Sequence, residues 1–280
     1  MINVLKLGGG AGVNQEAVLQ NLAVRIRGGE RWVLVHGASD AANQLAEQVG
    51  YPAQTLITPS GHTSRYTDAR TIEIFSAAAG TVNQQITAQL SAYGINAVGL
   101  SGPNVIYARR KTAIRAIREG RQVMIRDDFT GTIVGINHNL LETLLDGGFT
   151  PVIAPLAIGE EFERLNVDGD LVAANIAREL GADTLLILSN VPGLLRDLHD
   201  PASLVSQFSL ADLSSYESFA AGRMKKKLLA AQQAEAARVI LADSRLNSPI
   251  DAALRGGGTH IVSRSDAQHS PITAEVAYAD

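Results

Sequence analysis

The sequence predicts an α/β fold: an open, mainly parallel sheet with helices on both faces and an inserted block of β-hairpins. Three observations carry this. Strand-length apolar runs alternate with segments of helical periodicity along most of the 280 residues, the pattern of a parallel sheet sandwiched by helices. Several runs are continuously apolar, as strands covered on both faces require. Between about 105 and 136 the rhythm changes to short strand-like pieces separated by turn residues, the mark of hairpins.

In chain order, strands are expected at Val4–Leu7, Trp32–His36, Ala97–Leu100, Pro151–Ala154, Thr184–Leu188, Val239–Ala242 and Thr259–Val262. Helices are expected at Asn14–Arg27, Asp40–Val49, Asp68–Tyr93, Asn137–Leu145, Gly169–Leu180, Arg223–Ala237 and Pro249–Leu254. Asn14 and Asp40 are good N-cap residues because a short side-chain oxygen can accept from a free helix N–H. Thr67-Asp68 is a further helix-start signal. The hairpin block comprises Val105–Tyr107, Gln122–Arg126 and Thr130–Ile136. The polar segment after Val262 reads as a loosely held tail. A chain this long exceeds the usual domain of roughly 100–200 residues, so two lobes are expected, 1–180 and 181–280.

Composition excludes several classes. The chain is 46% hydrophobic and 19% charged, enough for a substantial core. No run of about 18 apolar residues suggests a membrane span, and Met1 leads straight into a strand rather than a signal segment. Without cysteine, disulfides and thiolate metal sites are impossible. A cytoplasmic protein is expected. The net charge of −4 argues against general nucleic-acid binding. That charge is uneven: Arg109, Arg110, Lys111, Arg115, Arg118, Arg121 and Arg126 are interrupted by one acid, Glu119, so this segment is +6 and the remainder −10.

The chemistry-bearing motifs point to phosphate. Lys6 sits in a strand that breaks into Gly8-Gly9-Gly10, and Lys227 closes Gly222-Arg223-Met224-Lys225-Lys226-Lys227 at the start of a helix. A charge inside a β-type segment is costly to bury unpaired, but at a strand's C-terminal end it can face an anion. A second strand-loop-helix unit is His36-Gly37-Ala38-Ser39. Small residues allow close backbone approach, and the following helices offer free N–H groups. The dinucleotide spacing fails, since Val13 stands where its third glycine belongs, and no Walker A pattern exists. Asn166-Val167-Asp168-Gly169-Asp170 is either an Asx turn with a helix cap or a substrate-binding Asn with a lysine-positioning Asp. It lacks the ligand spacing of a calcium loop. Ser189-Asn190-Val191-Pro192-Gly193-Leu194 follows a central strand, where α/β proteins bind ligands. Arg65 precedes a long helix and suits carboxylate capture. His36, His62 and His138 lack metal-ligand spacing and read as core or surface residues. No serine or cysteine nucleophile motif is present.

No single motif is specific, but their order is. From the Lys-x-Gly-Gly strand through His-Gly-x-Ser, Arg before Thr-Asp, Asn-x-Asp-x-Asp, Ser-Asn-Val-Pro-Gly-Leu and Gly-x-Met-x-x-Lys, the chain resembles the amino acid kinase superfamily over about residues 1–262. It is most similar to the acetylglutamate kinase branch, and within it to kinases that act on an amino acid attached to the carrier protein LysW. Ser64–Asp68, Ser101-Gly102, Arg109–Ala113 and Phe129–Thr132 carry the finer likeness. The resemblance implies an αβα sandwich of the amino acid kinase type. Its N-terminal lobe would hold the acyl acceptor and its C-terminal lobe ATP, with transfer of the γ-phosphoryl to a side-chain carboxylate. It implies Lys6 and Lys227 as catalytic lysines and Asp170 as the residue that holds them. Gly37, Ala38, Arg65 and Asn166 would bind the acceptor, and Gly8, Gly9, Ser189, Asn190 and Gly193 ATP and its phosphates. Ala38 departs from the family, where a second glycine is common, and a positive φ there would be costly.

The physics agrees. A carboxylate is already ionised near neutral pH, so no general base is required, and positioning with charge neutralisation does the work. Mg²⁺ held mostly by ATP oxygens needs no protein metal site. The resemblance favours carrier-bound aminoadipate in lysine biosynthesis. Carrier-bound glutamate in arginine biosynthesis, free N-acetylglutamate, and a non-catalytic nucleotide sensor remain open. Arg109, Arg110, Lys111 and Arg115 are expected to dock an acidic carrier of the LysW type. A homodimer is expected, with Ile72, Ile74, Phe75 and Val82 either pairing across it or packing on the sheet.

Overall fold

All seven strands expected from the sequence form, and they join one further strand in a single sheet. The computed structural model describes residues 1–263 except 60, 62 and 119. His62, Glu119 and the tail from 264 onward therefore lie outside the described residues. The strands are β1 (Ile2–Leu7), β2 (Arg31–His36), β3 (Thr55–Ile57), β4 (Thr63–Arg65), β5 (Ala97–Leu100), β6 (Ile106–Arg110), β7 (Ile114–Arg118) and β8 (Arg121–Ile125). They continue with β9 (Gly131–Ile136), β10 (Thr150–Ile153), β11 (Leu156–Ile158), β12 (Arg164–Asn166), β13 (Thr184–Ser189), β14 (Gln207–Ser209), β15 (Arg238–Asp243) and β16 (Thr259–Val262). The helices are α1 (Gln15–Arg27), α2 (Ser39–Gln48), α3 (Ala69–Ala92), α4 (His138–Asp146), α5 (Gly169–Glu179), α6 (Leu213–Tyr216), α7 (Arg223–Gln233) and α8 (Pro249–Leu254).

The main sheet runs β14-β16-β15-β13-β1-β2-β10-β5. Its pairings are parallel except β15 with β16. β1 lies near the middle, with Lys6 opposite Ile187 of β13 and Val35 of β2. The loops after β1, β2 and β13 therefore leave the same edge side by side, the edge where open α/β sheets hold ligands.

Side chains alternate across this sheet, as strand geometry demands. Val4, Val35 and Ile187 pack with α4, α5 and α7. Leu5, Leu7 and Leu34 pack on the other face, with α1, α3 and α8. Both faces are covered, as the continuous apolar runs predict. Period 2 places Lys6 on the same face as Val4, the face covered by α5 and α7.

The helix starts are partly as expected. Asn14 accepts from the Ala17 N–H at 3.2 Å, and Asp68 from the Thr71 N–H at 2.8 Å. Asp40 is no cap. α2 begins at Ser39 with Ala38 as its cap residue, because the tight turn after His36 brings the Asp40 N–H onto the Gly9 carbonyl at 2.8 Å. α7 ends at Gln233, short of Ala237, where Glu235 takes a positive φ of 48°. The hairpin block splits into two small sheets, β12-β11-β6-β9 and β4-β3-β7-β8. β7, with arginines between its apolar residues, is hidden in the sequence by its own charge.

Three of the four apolar residues singled out on α3 pack within the chain, while Ile74 stays half-buried outside that cluster. Ile72 and Phe75 are buried against Ala38, Ala42, Ala154 and Leu156 of their own chain, and Val82 packs beside them. Among the described residues no helix is long and apolar enough to cross a membrane.

His36 ends β2 fully buried. Its Nε2 faces the Asn83 amide at 3.1 Å, and that amide also donates to the Val152 carbonyl at 2.9 Å. With Nε2 accepting, the ring proton sits on Nδ1, which donates to the Gly37 carbonyl at 3.2 Å. Burial, aided by the charge on Lys6 and opposed by the Gly37 bond, pulls the His36 pKa down to about 4. The unfolded chain therefore binds the proton more readily. The stability linked to this group is fully present above roughly pH 6.5 and is lost as pH falls towards 4. Urea unfolding across that window should show a falling midpoint, and His36→Gln should flatten that slope by on the order of one proton.

Candidate active site

Along the C-terminal edge of the sheet runs a cleft of about 1160 Å³. Its floor is an ion cluster drawn from three elements. β1 supplies Lys6, the first turn of α5 supplies Asp170, and α7 supplies Lys227. Lys6 Nζ lies 2.8 Å from Asp170 Oδ1, and Lys227 Nζ lies 2.9 Å from Oδ2. The Lys227 contact is a hydrogen bond. The Lys6 contact is an ion pair at hydrogen-bond distance, so each carboxylate oxygen faces an ammonium group. All three residues are less than a tenth exposed.

Burial alone would raise the pKa of Asp170, but the two ammonium charges outweigh it and hold the carboxyl well below its usual range. Burial also pulls Lys227 down, against the pull of Asp170. Two ammonium groups around one carboxylate leave a net positive charge facing the cleft, where low local polarity strengthens its hold on an anion. The neighbouring Asp168 resolves the double reading of its segment. Its side chain caps α5 through the Asp170 N–H at 2.9 Å, while its other oxygen meets Lys226 Nζ at 2.9 Å. The segment is thus both a cap and an ion site.

The two glycine loops press against each other. A Cβ on Gly9 would stand 2.2 Å from the Gly37 carbonyl carbon, and one on Gly37 would stand 2.4 Å from the Gly9 nitrogen. Neither tolerates a side chain without backbone movement. Ala38 has φ −139°, a region open to any residue, so the family's second glycine is not needed here. Gly8 donates to the Leu188 carbonyl at 2.9 Å, tying the first loop to β13.

On one side of the cluster, Arg65 donates to the Ser39 carbonyl at 3.1 Å and to the Asn43 side chain. Burial, then the charge of nearby Arg223, lowers its pKa. Asn166 donates to the Thr67 hydroxyl at 3.2 Å. On the other side, Ser189, Asn190 and Gly193 line the cleft. Asn190 bonds to the Ala11 carbonyl at 3.2 Å, and Gly193 packs so closely that a Cβ would meet Thr259 Oγ1 at 2.6 Å.

The basic segment is divided. Lys111 lines the cleft and Arg115 is exposed on β7. Arg109 pairs with Glu160 at 3.2 Å. Arg110 is used internally: its Nε donates to the Asp128 carbonyl at 2.8 Å and its guanidinium lies 3.7 Å over the Phe129 ring. Two cleft residues had no role in the sequence reading, although both stand in the Gly-x-Met-x-x-Lys segment. Lys226 pairs with Asp168, and Arg223 lies over the glycine loop, its Nη1 3.3 Å from where a Gly10 Cβ would be. Among the described residues no carboxylate pairs with Arg223 or Arg65.

A family model for the amino acid kinase family matches residues 1–241. The chain belongs to the amino acid kinase family. It is 44% identical to the [LysW]-aminoadipate kinase of Deinococcus radiodurans over 91% of this chain and 90% of that protein. It is 42% identical to the [LysW]-aminoadipate kinase of Thermus thermophilus over 91% and 98%. Among solved structures, N-acetylglutamate synthase from Neisseria gonorrhoeae superposes with a TM-score of 0.76 at 23% identity, over 93% of this chain and 59% of that one. This last likeness concerns the fold alone. The chain has the α/β fold of amino acid kinases, with a mainly parallel principal sheet and smaller antiparallel-rich sheets beside it.

Among the described residues no group of three or more carboxylates and histidines could hold a metal ion. Asp168 and Asp170 are already paired with lysines. This donor set fits a cation that would arrive already bound to phosphate oxygens. Asp170→Asn removes the charge between two buried ammonium groups. Breaking a buried pair this way costs about 3–5 kcal/mol, so the melting temperature should drop. Mg-ATP should recover more of that loss in the variant than it adds to wild type, as read by thermal unfolding with and without nucleotide.

Proposed function

We propose that this protein is a kinase that moves the γ-phosphoryl group of ATP to the side-chain carboxylate of 2-aminoadipate carried on a LysW-type protein. The paired lysines around Asp170 are the observation that carries the reading. A carboxylate oxygen of the acceptor attacks the γ-phosphorus, the bond to the bridging oxygen of ADP breaks, and an acyl phosphate forms. No proton moves, because the acceptor is ionised at neutral pH. Lys6 and Lys227 neutralise charge on the transferring group, Asp170 fixes their spacing, and the glycine loops offer the N–H groups of Gly9, Gly10 and Ala38, those of Gly8 and Gly37 being bonded to the Leu188 and Leu7 carbonyls. Mg²⁺ bound with ATP supplies further neutralisation of phosphate charge.

Arg65 and Asn166, with Gly37 and Ala38, line the acceptor side in this reading. Gly8, Gly9, Ser189, Asn190 and Gly193 line the nucleotide side. In this reading residues 1–180 serve mainly the acceptor, with Gly8 and Gly9 reaching the nucleotide, and residues 181–280 serve ATP. The enzyme works in the cytoplasm, where ATP and an amino-acid carrier meet, and an acidic carrier is drawn to the exposed basic row beside the cleft.

The deciding measurement is ADP release with Mg-ATP and three acceptors: carrier-bound aminoadipate, carrier-bound glutamate and free N-acetylglutamate, with hydroxylamine trapping the acyl phosphate. Turnover fastest on carrier-bound aminoadipate is expected. Turnover on free N-acetylglutamate alone overturns the carrier. The Lys111→Glu, Arg115→Glu double variant should raise KM for the carrier-bound acceptor several-fold and leave KM for ATP unchanged. Arg110 is left out of that variant because its guanidinium holds the fold.

A further inference from the structure

Asp128 is a carboxylate with no part in the phosphoryl transfer described above, yet it is fully buried. Its two oxygens join separate stretches of chain. Oδ2 accepts the Thr67 N–H at 2.9 Å, and Oδ1 accepts the Thr130 N–H at 2.7 Å. Among the described residues no lysine or arginine pairs with its carboxylate. Two backbone donors satisfy it instead, which is sufficient for a buried carboxylate.

Thr67 is the point where this clamp meets the acceptor side. Its hydroxyl donates to the Arg65 carbonyl at 3.2 Å and accepts from Asn166 Nδ2 at 3.2 Å. The Phe129 N–H donates to the Thr67 carbonyl at 2.6 Å, and the Asn166 N–H to the Phe129 carbonyl at 2.8 Å. Arg110 closes the same knot from β6, through the Asp128 carbonyl and the face of Phe129. Residues 65–67, 110, 128–130 and 166 thus form one hydrogen-bonded unit.

We infer that Asp128 is the positioning residue of the acceptor site, setting Arg65 and Asn166 through Thr67. It never touches the acceptor. The inference rests on the acceptor-side reading of Arg65 and Asn166. A carboxylate suits the task because it accepts from both segments at once. An amide in its place offers one oxygen and turns an N–H towards the second donor. A simple packing role predicts lost stability alone, whereas positioning predicts a selective change at one substrate.

The test is steady-state kinetics of Asp128→Asn, Thr67→Val and Thr67→Ser with carrier-bound aminoadipate and Mg-ATP. Thr67→Val keeps the backbone N–H to Asp128 and removes the hydroxyl between Arg65 and Asn166. Asp128→Asn and Thr67→Val should each raise KM for the acceptor about tenfold, as expected for loss of one well-placed hydrogen bond, with KM for ATP unchanged. Thr67→Ser, which keeps the hydroxyl, should restore the wild-type KM. Acceptor KM values unchanged in both variants, or KM for ATP rising in step, overturn the inference. If Asp128→Asn does not fold, the Thr67 pair decides alone. Wild type inactive on the carrier-bound acceptor overturns the functional reading and the inference with it; active wild type with unresponsive variants overturns the inference only.

Discussion

The site depends on one arrangement of charge: a single carboxylate, Asp170, between two buried ammonium groups. Burying three ions is expensive, and well-packed apolar residues would usually serve stability as well or better. The cluster is therefore poorly explained as a device for holding the fold, and better explained as a device for holding two cations at fixed spacing. Each member comes from a different part of the chain. Lys6 faces α5 and α7 because the strand period puts it on the face of Val4. Asp170 faces β1 because Asp168 caps α5 and so fixes the first turn. Lys227 reaches the same point one turn into α7, after Gly222 takes a φ of 52° that other residues resist.

A second constraint works on the same edge at shorter range. The contact between Gly9 and Gly37 brings two loops together backbone to backbone, with no side chain between them. This joins two separate glycine turns into one backbone surface in the cleft that Lys6 also lines. His36 supports it from below. Its neutral ring holds the Gly37 carbonyl on one side and the Asn83 amide of α3 on the other, so the second loop is anchored to a helix across the sheet. A charged imidazole in that position would stand beside Lys6 in a buried site, and burial keeps the proton off.

Much of this was legible in the sequence, and the gaps have physical reasons. Continuous apolar runs gave away the central strands because both sheet faces are covered. Asn14 and Asp68 marked their helices because each cap uses its own side chain. Asp40 misled because the α2 start is governed by a long-range contact to Gly9, which no local pattern carries. β3, β4, β11, β12 and β14 have three residues each, too few for periodicity to register. The lysines and Asp170 were visible as ordered motifs, but their convergence was not, since 57 residues separate Asp170 from Lys227. Asp128 had no signal at all. Its task is to bind backbone groups, and backbone groups look alike in every sequence.

Arg110 shows how a charge pattern can blend two jobs. The +6 segment reads as one surface, yet its members part ways in three dimensions. Arg110 turns inward to Phe129 and Asp128, Arg109 pairs with Glu160, and Lys111 and Arg115 remain outward. Of the outward cations, Lys111 lines the cleft that also holds Arg65 and Asn166, while the inward one is bonded to the unit that positions those residues. The Lys111 N–H donates to the Thr130 carbonyl at 2.9 Å, one residue from the Asp128 clamp. In the proposed reading, the surface offered to a charged carrier and the hydrogen bonds that shape the acceptor site would belong to one connected unit. A free small acceptor would need the inner half of that unit and have no use for the outer half.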